Sequence, residues 1–468
     1  MMLSRGGGGF APPAGGRSSR AAQRRGGAAV ARHARCRCVR ATAAASSSSW
    51  APVPHSGYHF DGSSRRFFEG WYWRVALPDC GQSFAFMFSV EDPGDASSGV
   101  RGVGAQVMGI DDGYICQFSR DTGSFWGARN SLELGATFSV APGAAARGAP
   151  RRIVTQSDFD ASVEAGFQAS ATWQQGSIVA MESGAAGAPM STVPSCSWAF
   201  RVTPHYGWGD AGPGAGGGAR PGRATAGWLS ALAVFEPHWQ VLMAYGTAEG
   251  WVQWGDKRYE LTGAPAYAEK NWGGGFPSKW IWAQCNTFDG MPGLALTAVG
   301  ARRGLLGVPG LEEDVGMAGI HLPGGKFVEL TPWTGDVEWS ADAWGRWRLR
   351  AAGAGYEAVV DATAEPGAGT VLRAPTATEG LAPRCKDTFF GTLRLRLWQV
   401  DSAGRRSASP LVDATSSTAA LEVGGGPWWS PWSARADMRE PFKSLVKLPI
   451  DLGALASAVP QPLRPPGL

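Results

Sequence analysis

Three stretches of this chain place large apolar residues at every second position, and that period decides most of what can follow. In WYWRVAL, Trp71, Trp73, Val75 and Leu77 fall on one side; in SFAFMFSV, Phe84, Phe86, Phe88 and Val90 do the same. In TLRLRLWQV, Leu393, Leu395 and Leu397 turn away from Arg394 and Arg396. Successive side chains of an extended chain point to opposite faces, so this spacing specifies half-buried strands. Comparable runs recur between Gly, Pro and Asp clusters as far as about residue 424, and amphipathic helical patterns are few. The expected fold is all-β, mainly antiparallel, with few short helices.

Many antiparallel strands must hide their edges, which closed barrels and packed sandwiches both achieve. A chain of 468 residues favours two barrel-like halves. The Gly/Pro-rich segment HYGWGDAGPGAGGGARPGRATAG, residues 205–227, reads as a surface loop and supplies a seam, dividing an N-terminal half (51–226) from a C-terminal half (227–468). The tail, EPFKSLVKLPIDLGALASAVPQPLRPPGL, carries a short apolar segment that reads either as a packed helix or as an interfacial one.

The first 50 residues differ from everything after them. They hold nine Arg and no Asp, Glu or Lys, so the overall charge of +4 becomes 4 − 9 = −5 for the remainder. An Arg-, Ser- and Ala-rich, acid-free segment without an apolar core has the composition of an organelle transit peptide, with a disordered basic arm as the alternative. The basic character belongs to this leader, and no nucleic-acid partner is expected. Cys36 and Cys38 lie within it; Cys80, Cys116, Cys196, Cys285 and Cys385 are scattered singly and read as reduced structural thiols. No apolar run is long enough for a membrane helix.

Nucleotide cofactors have no visible cradle, because a G-x-x-x-x-G-K-[ST] motif is missing and the glycine clusters lack a strand–turn–helix setting. His55 and His59 have the spacing of metal ligands on a helix, but PHSGYHFDG contains Pro and Gly and reads as a turn. Neither a cofactor nor a metal is therefore expected, and no G-x-S-x-G elbow is present. What abounds is aromatic: 22 Trp and 20 Phe. Most of these serve a core. Some cluster with polar groups in PHSGYHFDGSSRRFFEGWYWR, AVFEPHWQV, AYAEKNWGGGFPSKWIWAQCN and GGGPWWSPW, and these four segments are the candidate lining of a ligand pocket.

PHSGYHFDG (54–62), FFEGWY (67–72), VFEPHWQ (234–240), AEKNWGGGFPSKW (268–280), LRAPT (372–376), GGGPWW (424–429) and the terminal PPGL (465–468) together resemble the tocopherol cyclase family of plastids, in order and from about residue 52 to the end. The departures, near 141–152, 209–222 and 402–413, are loop-like. The resemblance implies an intramolecular lyase that closes a phytylated methylbenzoquinol to the chromanol ring of a tocopherol without a redox cofactor. It also implies action in the chloroplast, at plastoglobules or plastid membrane lipid, with peripheral attachment. More distantly, such proteins are similar to carotenoid hydratases with paired lipocalin-like barrels.

That reaction requires a proton for a weakly basic alkene, hence an acid still protonated near neutral pH, and a carboxyl among apolar rings meets the need because desolvation raises its pKa. The candidates are Glu269 in AEKNWGG, then Glu69 in FFEGWY and Asp61 in HFDG. Trp272, Trp71 and Trp73 would shield the carbocation; Asn271 and His59 would orient the quinol, and His238 would accept its proton. Against these stand plainer readings: an ion pair of Glu269 with Lys270, a pair of Glu69 with Arg65 or Arg66, and histidines that merely satisfy turns or the core. A non-catalytic prenyl-lipid carrier, a carotenoid hydratase-like enzyme and a Trp-rich glycan-binding module are the competing functions.

Overall fold

A computed structural model of the chain describes residues 53–144, 148–181, 191–210, 222–308, 310–426, 430–460 and 463–468. The leader, and with it the transit peptide and its processing point, lies outside the described residues, as do Pro427, Trp428 and Trp429 of the GGGPWW segment.

The period-two runs are strands and the molecule is mostly antiparallel β, as expected. Among the described residues, eleven strands between Phe68 and Gly273 form one sheet. Twelve form a second, which takes the two-residue Phe235–Glu236 strand and every strand from Lys279 to Arg435. The long His238–Trp254 and Lys257–Gly273 strands pair within the first sheet, next to Phe68–Leu77. The division between sheets therefore falls between Gly273 and Lys279 rather than at 226/227. The Gly/Pro-rich stretch is a loop ahead of strands that turn back into the same sheet, since its composition marks where the chain bends and not where it changes partner. The α-helices are three short ones, Gln156–Ser162, Phe442–Leu445 and Leu452–Ala458, among the described residues.

Each sheet curls around its own core. Trp71, Trp73, Val75, Phe84, Phe86, Phe88 and Val90 all enter the first, together with Phe167 and Trp198. Leu393, Leu395 and Leu397 enter the second, and their neighbours Arg394 and Arg396 face outward to Asp413 and Asp361. Burying one such apolar side chain contributes about 1.5–3 kcal/mol, which is why the alternation alone decides the facing of each strand.

A third core lies between the sheets, and here the half-buried expectation fails. Tyr267, Val241 and Met108 of the first sheet meet Trp280, Trp282 and Met317 of the second. The polar side of WYWRVAL is buried against this partner instead of facing water. Arg74, 1% exposed, donates through Nη1 to Gln284 Oε1 at 2.7 Å and through Nη2 to Ser83 Oγ at 2.9 Å and to the Thr418 carbonyl at 2.5 Å. Two sheets that each look one-sided in sequence are covered on both faces where they meet.

In the tail, Val446 and Leu452 are buried, whereas Leu448, Ile450 and Leu455 are exposed. Cys116, Cys196, Cys285 and Cys385 are buried free thiols, and Cys80 is partly exposed. No described helix is long and apolar enough to cross a membrane.

Candidate active site

The Lys257–Gly273 strand carries the site, and its alternation sorts the adjacent charges of AEKNWGG. Tyr267, Glu269 and Asn271 fall on the face turned to the second sheet; Lys270 and Trp272 fall on the opposite face. Glu269 and Lys270 are thus no ion pair. They belong to two different polar clusters on either side of one strand.

On the inner face a cavity of about 120 Å³ opens between the sheets. Its wall is mostly aromatic and aliphatic: Tyr72, Trp239, Phe276, Trp280, Trp282 and Leu372. Glu269 is 8% exposed and lies in this wall. Its Oε2 accepts from the Tyr267 hydroxyl at 2.5 Å, from Trp239 Nε1 at 3.0 Å and from Trp282 Nε1 at 3.1 Å. All three donors are uncharged, and among the described residues no Lys or Arg pairs with the carboxyl. Burial raises its pKa to about 7 against the opposing pull of those hydrogen bonds. The group can therefore hold a proton near neutral pH while sitting among rings.

This raised pKa has a measurable consequence for stability. A carboxyl whose pKa is higher in the fold than in the unfolded chain contributes stability that is complete below the unfolded value and is lost as pH climbs to the folded one. For Glu269 the window runs from 4.5 to about 7. Glu269→Gln, which cannot ionise, should gain melting temperature relative to the wild type across that window and hold a constant difference above it. A difference independent of pH would mean that the carboxyl is not desolvated.

The second sheet completes the wall. Trp280 and Trp282, two residues apart on the Lys279–Cys285 strand, share a face, and Glu422 of the Val412–Gly425 strand stands opposite Trp282. Trp282 donates across the gap to Glu269, and the Trp280 indole donates to Glu422 Oε1. Two successive indoles thus hold two carboxyls, one from each sheet. Gly424 makes this possible, because a Cβ there would come within 2.0 Å of the Trp280 ring. Gly275 serves similarly: a Cβ would meet the Ala377 backbone nitrogen at 2.6 Å, where LRAPT folds over the cavity and the Phe276 N–H donates to the Pro375 carbonyl at 2.8 Å. Burial raises Glu422 to about 7 as well, with the neighbouring Glu269 charge adding to it.

The opposite face of the strand holds the other candidates. Glu69 and Lys270 are both fully buried and form an ion pair, and Glu69 also accepts from the His59 backbone N–H at 2.8 Å and lies 3.1 Å from His59 Nδ1. Neither Arg65 nor Arg66 is its partner: Arg65 lies 3.5 Å from Asp61, and Arg66 pairs with Glu91 and Asp92. Burial pushes Glu69 up while Lys270 pulls it down. Trp272 is stacked between His59 at 3.9 Å and His238 at 4.9 Å, with His55 at 4.9 Å on a tilt. Burial lowers all three histidines, His238 to about 4, so they are neutral.

Of the sequence-based candidates, Glu269 and Asn271 reach the cavity. Trp71 borders it, although its ring stacks on Phe125 at 5.8 Å in the first-sheet core. Trp73 is wholly within that core. Trp272, His59 and His238 lie across the strand from it, in the histidine cluster. Glu69 is paired there with Lys270, its pKa raised by burial, and Asp61 is exposed, with a pKa lowered by the Ser63 backbone N–H and hydroxyl; neither of them lines the cavity. Glu422 is the wall residue that sequence reasoning missed; the segments expected to line the pocket did contain Tyr72, Trp239, Trp280 and Trp282, without giving them individual roles. A signal existed for the last two: same-face spacing with Ile281 between them.

Fold and cavity define a class, an antiparallel two-sheet protein with a mostly apolar cavity and buried carboxyls in its wall. A tocopherol cyclase-like family model matches residues 65–425. A maize (Zea mays) protein named tocopherol cyclase, chloroplastic, is 44% identical over 429 residues, covering 89% of this chain and 86% of its own. A rice (Oryza sativa subsp. japonica) protein named probable tocopherol cyclase, chloroplastic, is 43% identical over 430 residues, covering 89% and 87%. Among solved structures, CghA matches with a TM-score of 0.46 at 10% identity, over 81% of this chain and 94% of its own. With Sch210972 bound, it matches with a TM-score of 0.41 at 11% identity, over 81% and 96%. The chain belongs to the tocopherol cyclase-like family.

Proposed function

We propose that this protein is a chloroplast tocopherol cyclase that closes a phytylated methylbenzoquinol to a chromanol, with Glu269 as the acid. The observation that carries this reading is a carboxyl on an apolar cavity wall, held by three uncharged donors and, among the described residues, by no cation. Glu269 gives its proton to the less substituted alkene carbon, leaving a tertiary carbocation beside the ring. The phenolic oxygen forms the C–O bond to that cation and releases its own proton, so the atoms of substrate and product are the same.

The cavity rings have two tasks. Trp239, Trp280, Trp282 and Tyr72 exclude water that would trap the cation, and their faces stabilise it by an attraction worth about 2 kcal/mol or more in a desolvated site. Asn271, on the same wall, orients the quinol. The role of cation shield assigned in sequence to Trp272 and Trp73 passes to these residues. The exposed Leu448, Ile450 and Leu455 of the tail suit a peripheral contact with plastoglobule or plastid membrane lipid.

The experiment is incubation of the leader-free protein with the phytylated methylbenzoquinol in deuterium oxide. The expected product is a chromanol carrying one carbon-bound deuterium. Binding without product would identify a carrier instead, and a product enlarged by water would identify a hydratase.

A further inference from the structure

Glu269 accounts for the proton that enters the alkene but leaves open where the phenolic proton goes. Glu422 is the second carboxyl in the same cavity wall. It faces Glu269 and Tyr72 on the first sheet, with Asp387 and Cys385 beside it on its own sheet; Asp112 and Arg74 stand beyond, near Asp387. Asp387 is its cross-strand partner, 0% exposed, and neither of its carboxyl oxygens has a hydrogen-bond partner among the described residues. The Tyr72 hydroxyl, also on the cavity wall, is buried and equally unpartnered. A buried hydroxyl left without a partner is destabilising, and a ligand oxygen in the cavity would satisfy it. The polar end of the ligand thus belongs near Tyr72, between the two glutamates that Trp282 and Trp280 hold.

Resting on the cyclase reading above, we propose that Glu422 is the catalytic base that takes the phenolic proton, so that Glu269 and Glu422 share one proton and exchange it once per turnover. Glu269 begins protonated and Glu422 ionised. A lone pair of the phenol oxygen forms the C–O bond to the cation; the O–H bond breaks, its electron pair stays on the oxygen, and the proton passes to Glu422. Afterwards Glu422 loses a proton to solvent and Glu269 regains one, with no net change in the protein. Two carboxylates in one apolar site repel, which favours the singly protonated pair at rest.

The test is the pH dependence of kcat/KM for the wild type, Glu422→Gln and Glu422→Asp, with Glu269→Gln assayed beside them. The wild type should give a bell, its acidic limb set by the base and its alkaline limb by the acid. Glu422→Gln should lower turnover roughly 10²- to 10⁴-fold and lose the acidic limb, with quinol binding unchanged by Trp fluorescence. Glu422→Asp should recover part of the rate and the acidic limb, which a purely structural role would not require. Wild-type turnover with both limbs in Glu422→Gln, alongside an inactive Glu269→Gln, overturns the base assignment and leaves the acid standing. Should Glu422→Gln fail to fold, a Glu422→Asp variant lacking the acidic limb overturns it equally. Full activity in Glu269→Gln instead removes the reading on which the inference rests.

Discussion

Glu269→Gln should lower turnover by roughly 10²- to 10⁴-fold while leaving the fold and quinol binding in place, the range expected for loss of a positioned general acid. Gln has the same shape, and its amide oxygen can accept from Tyr267, Trp239 and Trp282 as the carboxyl does. What it lacks is the transferable proton. An alkene is so weak a base that neither water nor an amide can replace a carboxylic acid at this step. The loss should therefore appear in kcat and leave KM nearly unchanged, as for an interaction made only in the transition state. Single-turnover assays with the phytylated quinol, paired with Trp fluorescence titration, separate the two. Near-normal kcat in this variant would place the proton source elsewhere on the wall.

The largest effect on stability should come from the other face of the same strand. Lys270→Met leaves Glu69 fully buried without its cation, and breaking a buried pair from one side costs about 3–5 kcal/mol. The lysine also donates to the Gly57 carbonyl at 2.7 Å and lies 5.4 Å from the ring centres of both Trp71 and Trp272, so it ties the PHSGYHFDG turn to the strand. Thermal unfolding of Lys270→Met should show a strong loss that Glu69→Gln/Lys270→Met largely recovers. In the double variant the amide oxygen still accepts from the His59 N–H, and no orphaned charge remains. Equal instability of the single and double variants would refute the ion-pair account. Because this cluster is separate from the cavity, residual folded Lys270→Met should still cyclise quinol.

The sequence by itself determined the strands and their inward sides. Trp71, Phe86 and Leu395 repeat at two-residue spacing, and a β-strand offers only two faces, so hydrophobic burial settles which one is inside each curled sheet. It also marked AEKNWGGGFPSKW as a candidate site, since a charge among rings needs a reason.

Only the tertiary structure decided which charge served which purpose. Adjacent in sequence, Glu269 and Lys270 look like partners, yet the pleat sends them to opposite faces. The partners of Glu69 and Glu269 then depend on which strands lie alongside and opposite. Glu422 joined the site because the Val412–Gly425 strand pairs with Lys279–Cys285, a contact spanning more than a hundred residues. Local periodicity carries no information about such a pairing. The pKa of a carboxyl follows from the donors and solvent around it, and those are set by sheet-to-sheet packing, not by its neighbours in the chain.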